Sequence, residues 1–265
     1  MKSILVHLDH EDCSVRLGVT RRLAEEHGAR IVGLFAERAK AAVVGAVATW
    51  PSEAYVKAAA ESRAAFEAAV AGLPKTEWRD ANRGGEAEVI KAVVNAAHGV
   101  DLVILGKDSG GSVHSAVPAG LAEKVLVESG RPCLIVPNET PVPHLGQWPL
   151  VAWNGSRESV RALTCAFPLM RGAREAVMLT VGEIDPQVEA DCVTRFADYG
   201  VPVRTEHMTP SDIGLIDLLL ARAVDNGCDL MVMGAHEAGP LAWFGRGSAT
   251  QHVLANTTLP VLMSR

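Results

Sequence analysis

The chain repeats itself, and that restricts what it can fold into more than any other feature. "VDLVILGK" at 100–107 matches "CDLMVMGA" at 228–235, and "GRPCLIVP" at 130–137 matches "TLPVLMSR" at 258–265. The register is shared, because Asp101 and Asp229, like Pro132 and Pro260, stand 128 residues apart. Upstream, "ILVHLD" at 4–9 matches "PLVAWN" at 149–154 with an offset of 145, so the first half carries 17 additional residues. They fall most simply within "ERAKAAVVGAVATWPSEAYVKAAAES". A fixed internal offset is the mark of a duplicated structural unit, and 265 residues accommodate two ordinary domains.

Between the halves lies "PNETPVPHLGQWP", whose Pro137, Pro141, Pro143 and Pro149 deny it regular hydrogen bonding. This places the boundary near residue 143, giving domains 1–143 and 144–265. Within each half, short apolar runs alternate with segments of helical periodicity. In the second half, "SRESVRALTCAFPLMRG" predicts a helix with Val160, Leu163 and Phe167 on its apolar face, and "PQVEADCVTRFADYG" a helix ended by Gly200. Five strands per half joined by helical crossovers predict an α/β chain, two tandem doubly wound domains each with a five-stranded parallel sheet.

Composition removes several function classes. A net charge of -6 with no basic run gives no electrostatic footprint for nucleic acid. The apolar runs are far shorter than the roughly 20 residues a membrane helix needs, and "MKSILVHLD" lacks a cleavage pattern, so a cytoplasmic protein is expected. Five dispersed cysteines, without a CxxC pair, suit small buried hydrophobes in a reducing compartment. The histidines form no HExxH or paired metal spacing, and no Ser-His-Asp, Cys-His or twin-carboxylate arrangement stands out, so neither a metal nor a catalytic residue is assigned.

"VAWNGSRES", "CDLMVMGAH" and "GRGSATQHVLANTTLPVLMSR" together resemble the universal stress protein family in its tandem form. The resemblance implies the adenine-nucleotide alpha-hydrolase-like sheet and dimer contacts through the last strands, here "CLIVP" and "PVLMS". Two copies on one chain then suggest an intramolecular pseudo-dimer, with a homodimer of chains as a further assembly. In nucleotide-binding members the fourth strand ends in G-x2-G-x9-G-[ST]. Gly234, Gly247 and Ser248 match, while Glu237 stands at the second glycine.

The implied nucleotide site of the second half comprises Ala152, Trp153 and Asn154 after the first strand and Val181 after the second. It continues with Met233, Gly234, Ala235 and His236 after the fourth strand, and Gly247, Ser248 and Ala249 where the last helix opens. A helix N-terminus with adjacent glycines suits a phosphate, although a Ser cap and a glycine-rich turn explain the same residues. Asn154 stands where ATP-binding members carry aspartate, and "NGS" is also an ordinary helix cap. A Glu237 carboxylate near a phosphate repels it by about 4 kcal/mol at an effective dielectric of 20 unless Mg²⁺ intervenes. The expected cofactor is thus ATP or another adenine nucleotide, with or without Mg²⁺, or else none, the affinity for ATP being weak, absent or metal-dependent.

The first half keeps Asp9 at the matching strand end. Its loop after Gly106 places Ser109, Ala119 and Gly120 at the other motif positions, so Asp9, Gly106 and Gly120 mark a vestigial cleft. His7 and His236 stand at strand ends where ligands of such folds collect. Trp243 and Phe244 suit either a lid or a packing contact. The expected function is a non-enzymatic stress-response module, regulating an unidentified protein partner through nucleotide occupancy. The alternatives are a nucleotide-independent scaffold and, third, a slow ATP hydrolase.

Overall fold

The computed structural model describes residues 1–38, 42–44, 47–49, 51–81, 84–107, 116–138, 140–208, 214–235 and 249–265. The chain forms two compact units, Met1–Glu139 and Thr140–Arg265. Unit 1 runs β1 (Ser3–Leu8), α1 (Ser14–His27), β2 (Arg30–Phe35), β3 (Ala42–Val44), β4 (Val47–Thr49), α2 (Glu53–Ala69), β5 (Thr76–Asp80), α3 (Glu86–Ala97), β6 (Leu102–Gly106), α4 (Leu121–Glu128) and β7 (Cys133–Val136). Unit 2 runs β8 (Pro149–Trp153), α5 (Arg157–Ala166), β9 (Ala176–Val181), α6 (Pro186–Asp198), β10 (Val203–Met208), α7 (Leu215–Asp225), β11 (Leu230–Gly234), α8 (Ala249–Asn256) and β12 (Val261–Ser264).

Five parallel strands order as β7-β6-β1-β2-β5 in unit 1 and as β10-β9-β8-β11-β12 in unit 2. Each unit is therefore doubly wound, as the alternation of strands and helices predicts. Central strands are buried along most of their length, as in β1, β6 and β11; a parallel strand covered on both faces must read as a continuous apolar run. The strands β5, "TEWRD", and β10, "VRTEHM", are instead charged, β5 being exposed and β10 mostly half-buried, and charge on such a strand discourages pairing with another chain. Among the described residues, no helix is long and apolar enough to cross a membrane.

The repeated aspartates have a structural use. Asp101 Oδ2 accepts from the backbone of Lys2 at 2.6 Å and Ser3 at 3.1 Å. Asp229 accepts from Gly146, Gln147 and Trp148 at 3.0, 2.8 and 3.1 Å. In each unit one carboxylate, just before the fourth sheet strand, pins the entry of the first and so fixes the register of their pairing.

The 17 extra residues of the first half appear as the antiparallel β3–β4 hairpin and a longer second helix, α2 having 17 residues against 13 in α6. Two expectations for α5 need correction. The helix stops at Ala166; Phe167 keeps helical dihedrals, φ -51° and ψ -40°, as its C-cap, and Pro168, without an N–H, cannot continue the hydrogen-bond ladder. Val160 is 37% exposed; the buried face is Ser159, Ala162, Leu163 and Ala166. Phe167 is still buried, but beyond the helix, stacked on Tyr199 at 3.8 Å. Gly200 follows α6 with φ +69°, a left-handed turn that favours glycine.

Candidate functional site

In an open parallel sheet, ligands collect beyond the carboxyl ends of the strands where the order reverses. That switch point lies between β8 and β11 in unit 2 and between β1 and β6 in unit 1.

In unit 2 the register sets Leu230 beside Pro149 and Val232 beside Val151, while Trp153 pairs with Thr180. Ala152, Trp153, Asn154, Val181, Met233, Gly234 and Ala235 therefore meet at one end of the sheet. Ala249 opens α8. His236, Glu237, Gly239, Trp243, Phe244, Gly247 and Ser248 lie outside the described residues.

Two of these positions, and the neighbouring Ser156, have structural partners of their own. Asn154 Oδ1 accepts from Ser156 N at 3.1 Å, closing a turn in which Gly155 has φ +68°. Ser156 caps α5, its Oγ accepting from Ser159 N at 3.2 Å. Gly234 is required by packing: a Cβ there would lie 2.7 Å from Glu158 C and from Ser159 N. The first turn of α5 thus rests directly on the end of β11. Trp153, 3% exposed, has a buried Nε1 without a hydrogen-bond partner.

In unit 1 the corresponding end is built around charges. Asp9 follows β1 and is 4% exposed. Its Oδ2 accepts from Arg16 Nη2 at 2.9 Å, and its Oδ1 from Glu11 N at 2.8 Å. Arg16, on α1 and 1% exposed, also donates from Nη1 to His7 O at 2.9 Å. A Cβ on Gly106, the last residue of β6, would lie 3.0 Å from Arg16 Cζ. The guanidinium therefore bridges the ends of β1 and β6, across the switch point itself. Gly120 begins α4 as its N-cap with φ 70° and without a side-chain cap.

His7 donates from Nε2 to Ala36 O at 2.8 Å, leaving Nδ1 bare and 4.0 Å from Asp9 Oδ2. Burial lowers the His7 pKa below its ordinary 6.5, with Asp9 opposing and Arg16 reinforcing the shift. For Asp9, burial alone would raise the carboxyl, but Arg16 and His7 bring it below its ordinary 3.8. A base with a depressed folded pKa makes the unfolded chain bind the extra proton, so stability from His7 is complete above pH 6.5 and declines as pH falls below it. The Asp9 contribution is lost in turn as pH falls below 3.8. His10, raised beside Glu37 but about half exposed, acts in the opposite sense and is screened. Melting temperatures between pH 7.5 and 5.5 should therefore separate wild type from His7→Leu, the variant losing less stability over that interval; parallel slopes would refute the assignment.

Sequence reading missed Arg16. The available signal was its place on the buried stripe of α1 with Val19, Thr20 and Leu23, where an arginine needs a buried acceptor. It also missed Ser159. The Arg16 side chain lies against Gly106, whereas it is the backbone of Ser159 that lies against Gly234; by the offset of 145 the counterpart of Arg16 is Arg161, which is exposed. The two switch points thus differ: unit 1 holds the buried Asp9–Arg16 ion pair, while in unit 2 Asn154 is neutral and Arg161 is exposed.

All five cysteines are free. Burial raises the thiol pKa to about 11 in Cys13, Cys192 and Cys228, so none is poised as a thiolate. Among the described residues, no group of three or more His, Cys, Asp or Glu is arranged to hold a metal.

Residues 159–265 match the family model described as the universal stress protein family. A universal stress protein from Archaeoglobus fulgidus DSM 4304 superposes with a TM-score of 0.69 at 19% identity, covering 99% of this chain and 96% of that one. A protein of Pseudomonas aeruginosa UCBPP-PA14, provisionally named a universal stress protein, does so with a TM-score of 0.60 at 18% identity, covering 100% and 93%. No curated protein matches the chain. Residues 159–265 are thus similar to the universal stress protein family, and the whole chain shares the fold of solved universal stress proteins.

Proposed function

We propose that the chain is a non-enzymatic, cytoplasmic stress-response protein whose second half binds an adenine nucleotide weakly and signals occupancy to a protein partner. The observation that carries this reading is the composition of the unit 2 switch point. It gathers Ala152, Asn154, Val181 and Gly234 at the strand ends, and neutral Asn154 stands where unit 1 has the buried, ion-paired Asp9. Gly247 and Ser248, from the sequence, supply the phosphate end, and Glu237 makes Mg²⁺ the expected co-ligand.

Mg-ATP should raise the melting temperature. At 100 times its dissociation constant a ligand adds about 2.7 kcal/mol, or roughly 5–10 °C for a chain of this size. The absence of any shift at millimolar nucleotide would sink the binding reading. Glu237→Gly should enlarge the shift. Phosphate release above a blank would point instead to slow hydrolysis.

The scaffold reading is favoured by a different observation, that Asn154, Ser156 and Gly234 are each occupied by turn, cap or packing contacts. On that reading the partner surface persists without nucleotide. Light scattering with and without Mg-ATP tests whether chains associate and whether occupancy changes it.

A further inference from the structure

We propose that unit 1 is closed to adenine nucleotides by its own side chain, Arg16, whose guanidinium takes Asp9 as its carboxylate and leaves room at the switch point for one water. The guanidinium is held at the ends of both central strands, by His7 O and Asp9 Oδ2, each at 2.9 Å. It lies against Gly106, at the point where the family resemblance would seat a ligand. The cavity at the switch point, among His7, Asp9, Arg16, Gly106, Leu121 and Asn138, measures about 20 Å³; a separate groove of about 480 Å³ that Asp9 also borders runs along α1 and α2, by Leu17, Arg21, Ala58 and Ala65, and is lined by neither Arg16 nor Gly106. Small-molecule pockets run roughly 300–1,000 Å³, whereas a single water needs about 10–15 Å³.

Two polar atoms say what that space takes. Arg16 Nε and Asn138 Oδ1 are both buried without a hydrogen-bond partner, and both residues line the cavity. One is a donor and the other an acceptor, and a water molecule satisfies both at once. An anion would satisfy Arg16 alone and would face Asp9 and Glu11, which also line the space. The closure is therefore made of an ion pair and a bridging water, with Asp9 spent internally.

Arg16 alone makes this closure, since its counterpart in the second half by the offset of 145, Arg161, is exposed. The stoichiometry that follows, at most one nucleotide per chain, rests on the reading proposed for the second half; the closure does not.

Two measurements on the full chain test it. In the first, wild-type protein is photolabelled with 8-azido-ATP and Mg²⁺, and labelled peptides are mapped. No label that excess ATP displaces is expected within residues 1–139, and such a label there would overturn the closure. Absence of label from both halves would defeat the nucleotide reading of unit 2 and remain consistent with the closure.

In the second, Arg16→Ala should melt roughly 10 °C or more below wild type, because a buried carboxylate loses its partner. Millimolar ethylguanidinium should restore part of that loss in Arg16→Ala and none in wild type, with ethylammonium as control. An unchanged melting temperature, or rescue no better than the control, would overturn the proposal. Should Arg16→Ala fail to fold, Arg16→Lys keeps the charge without the planar fork; melting equal to wild type would again refute it.

Discussion

Asp9→Ala is expected to destabilise unit 1 by about 3–5 kcal/mol while leaving nucleotide binding by the second half unchanged. Removing one member of a buried ion pair strands the other in low dielectric, and the loss reflects the stranded charge more than the value of the pair. Here the stranded group is Arg16, 1% exposed, left with His7 O as its acceptor. Glu11 N also loses the carboxylate that accepts from it at 2.8 Å. Asp9→Asn should be milder, since the amide oxygen still accepts a hydrogen bond and the shape is kept. Chemical denaturation measures the change. The family resemblance alone suggests a different outcome, in which Asp9 touches ribose or adenine and its removal lowers affinity without lowering stability. A variant with wild-type stability and weaker nucleotide binding would therefore reject the ion-pair account of Asp9.

Gly234→Ala is expected to destabilise unit 2 by about 1–3 kcal/mol or more, whether or not nucleotide is bound. Inserting a methyl group into a packed contact forces side chains or backbone to shift. At this position the obstructing atoms are Glu158 C and Ser159 N, each 2.7 Å from the new carbon, so no flexible side chain can yield. The helix α5 must lift from β11 instead. A phosphate-loop role predicts the reverse balance, a loss of nucleotide-induced stabilisation with an unchanged melting temperature in the free protein. Measuring both in one variant separates packing from recognition, and a free protein that melts like wild type would contradict the packing account.

Much of the fold was legible in the sequence for a simple reason. A strand of a covered parallel sheet must be apolar on both faces, so "ILVHL", "LVILG" and "LMVMG" can be read as strands without tertiary information. Duplication then doubled the evidence for each strand. The α5 face was misread because Val160 and Ala162 are both apolar, and composition cannot show which of them turns toward β11. Phe167 was placed on the helix because its spacing is helical, though Pro168 ends the helix before it.

The candidate sites were less legible than the fold. The sequence shows Asp9, Asn154, Gly106 and Gly234 as matching strand ends, but not what touches them. Asp9 resembled a retained ligand residue; its partner Arg16 is seven positions along and one turn into a helix. Gly234 resembled a loop glycine, and its need to be glycine comes from the backbone of α5, more than 70 residues earlier in the chain.

By itself, the sequence determined the architecture: a duplicated α/β unit, its strands and its crossovers, because periodicity and internal repetition are local or translational properties of the chain. Only the tertiary structure decided the state of each cleft. Whether a carboxylate is offered to a ligand or consumed by a neighbouring guanidinium depends on which side chains converge from different elements within about 3 Å, the range of a hydrogen bond, and that convergence follows from how a helix settles on its sheet.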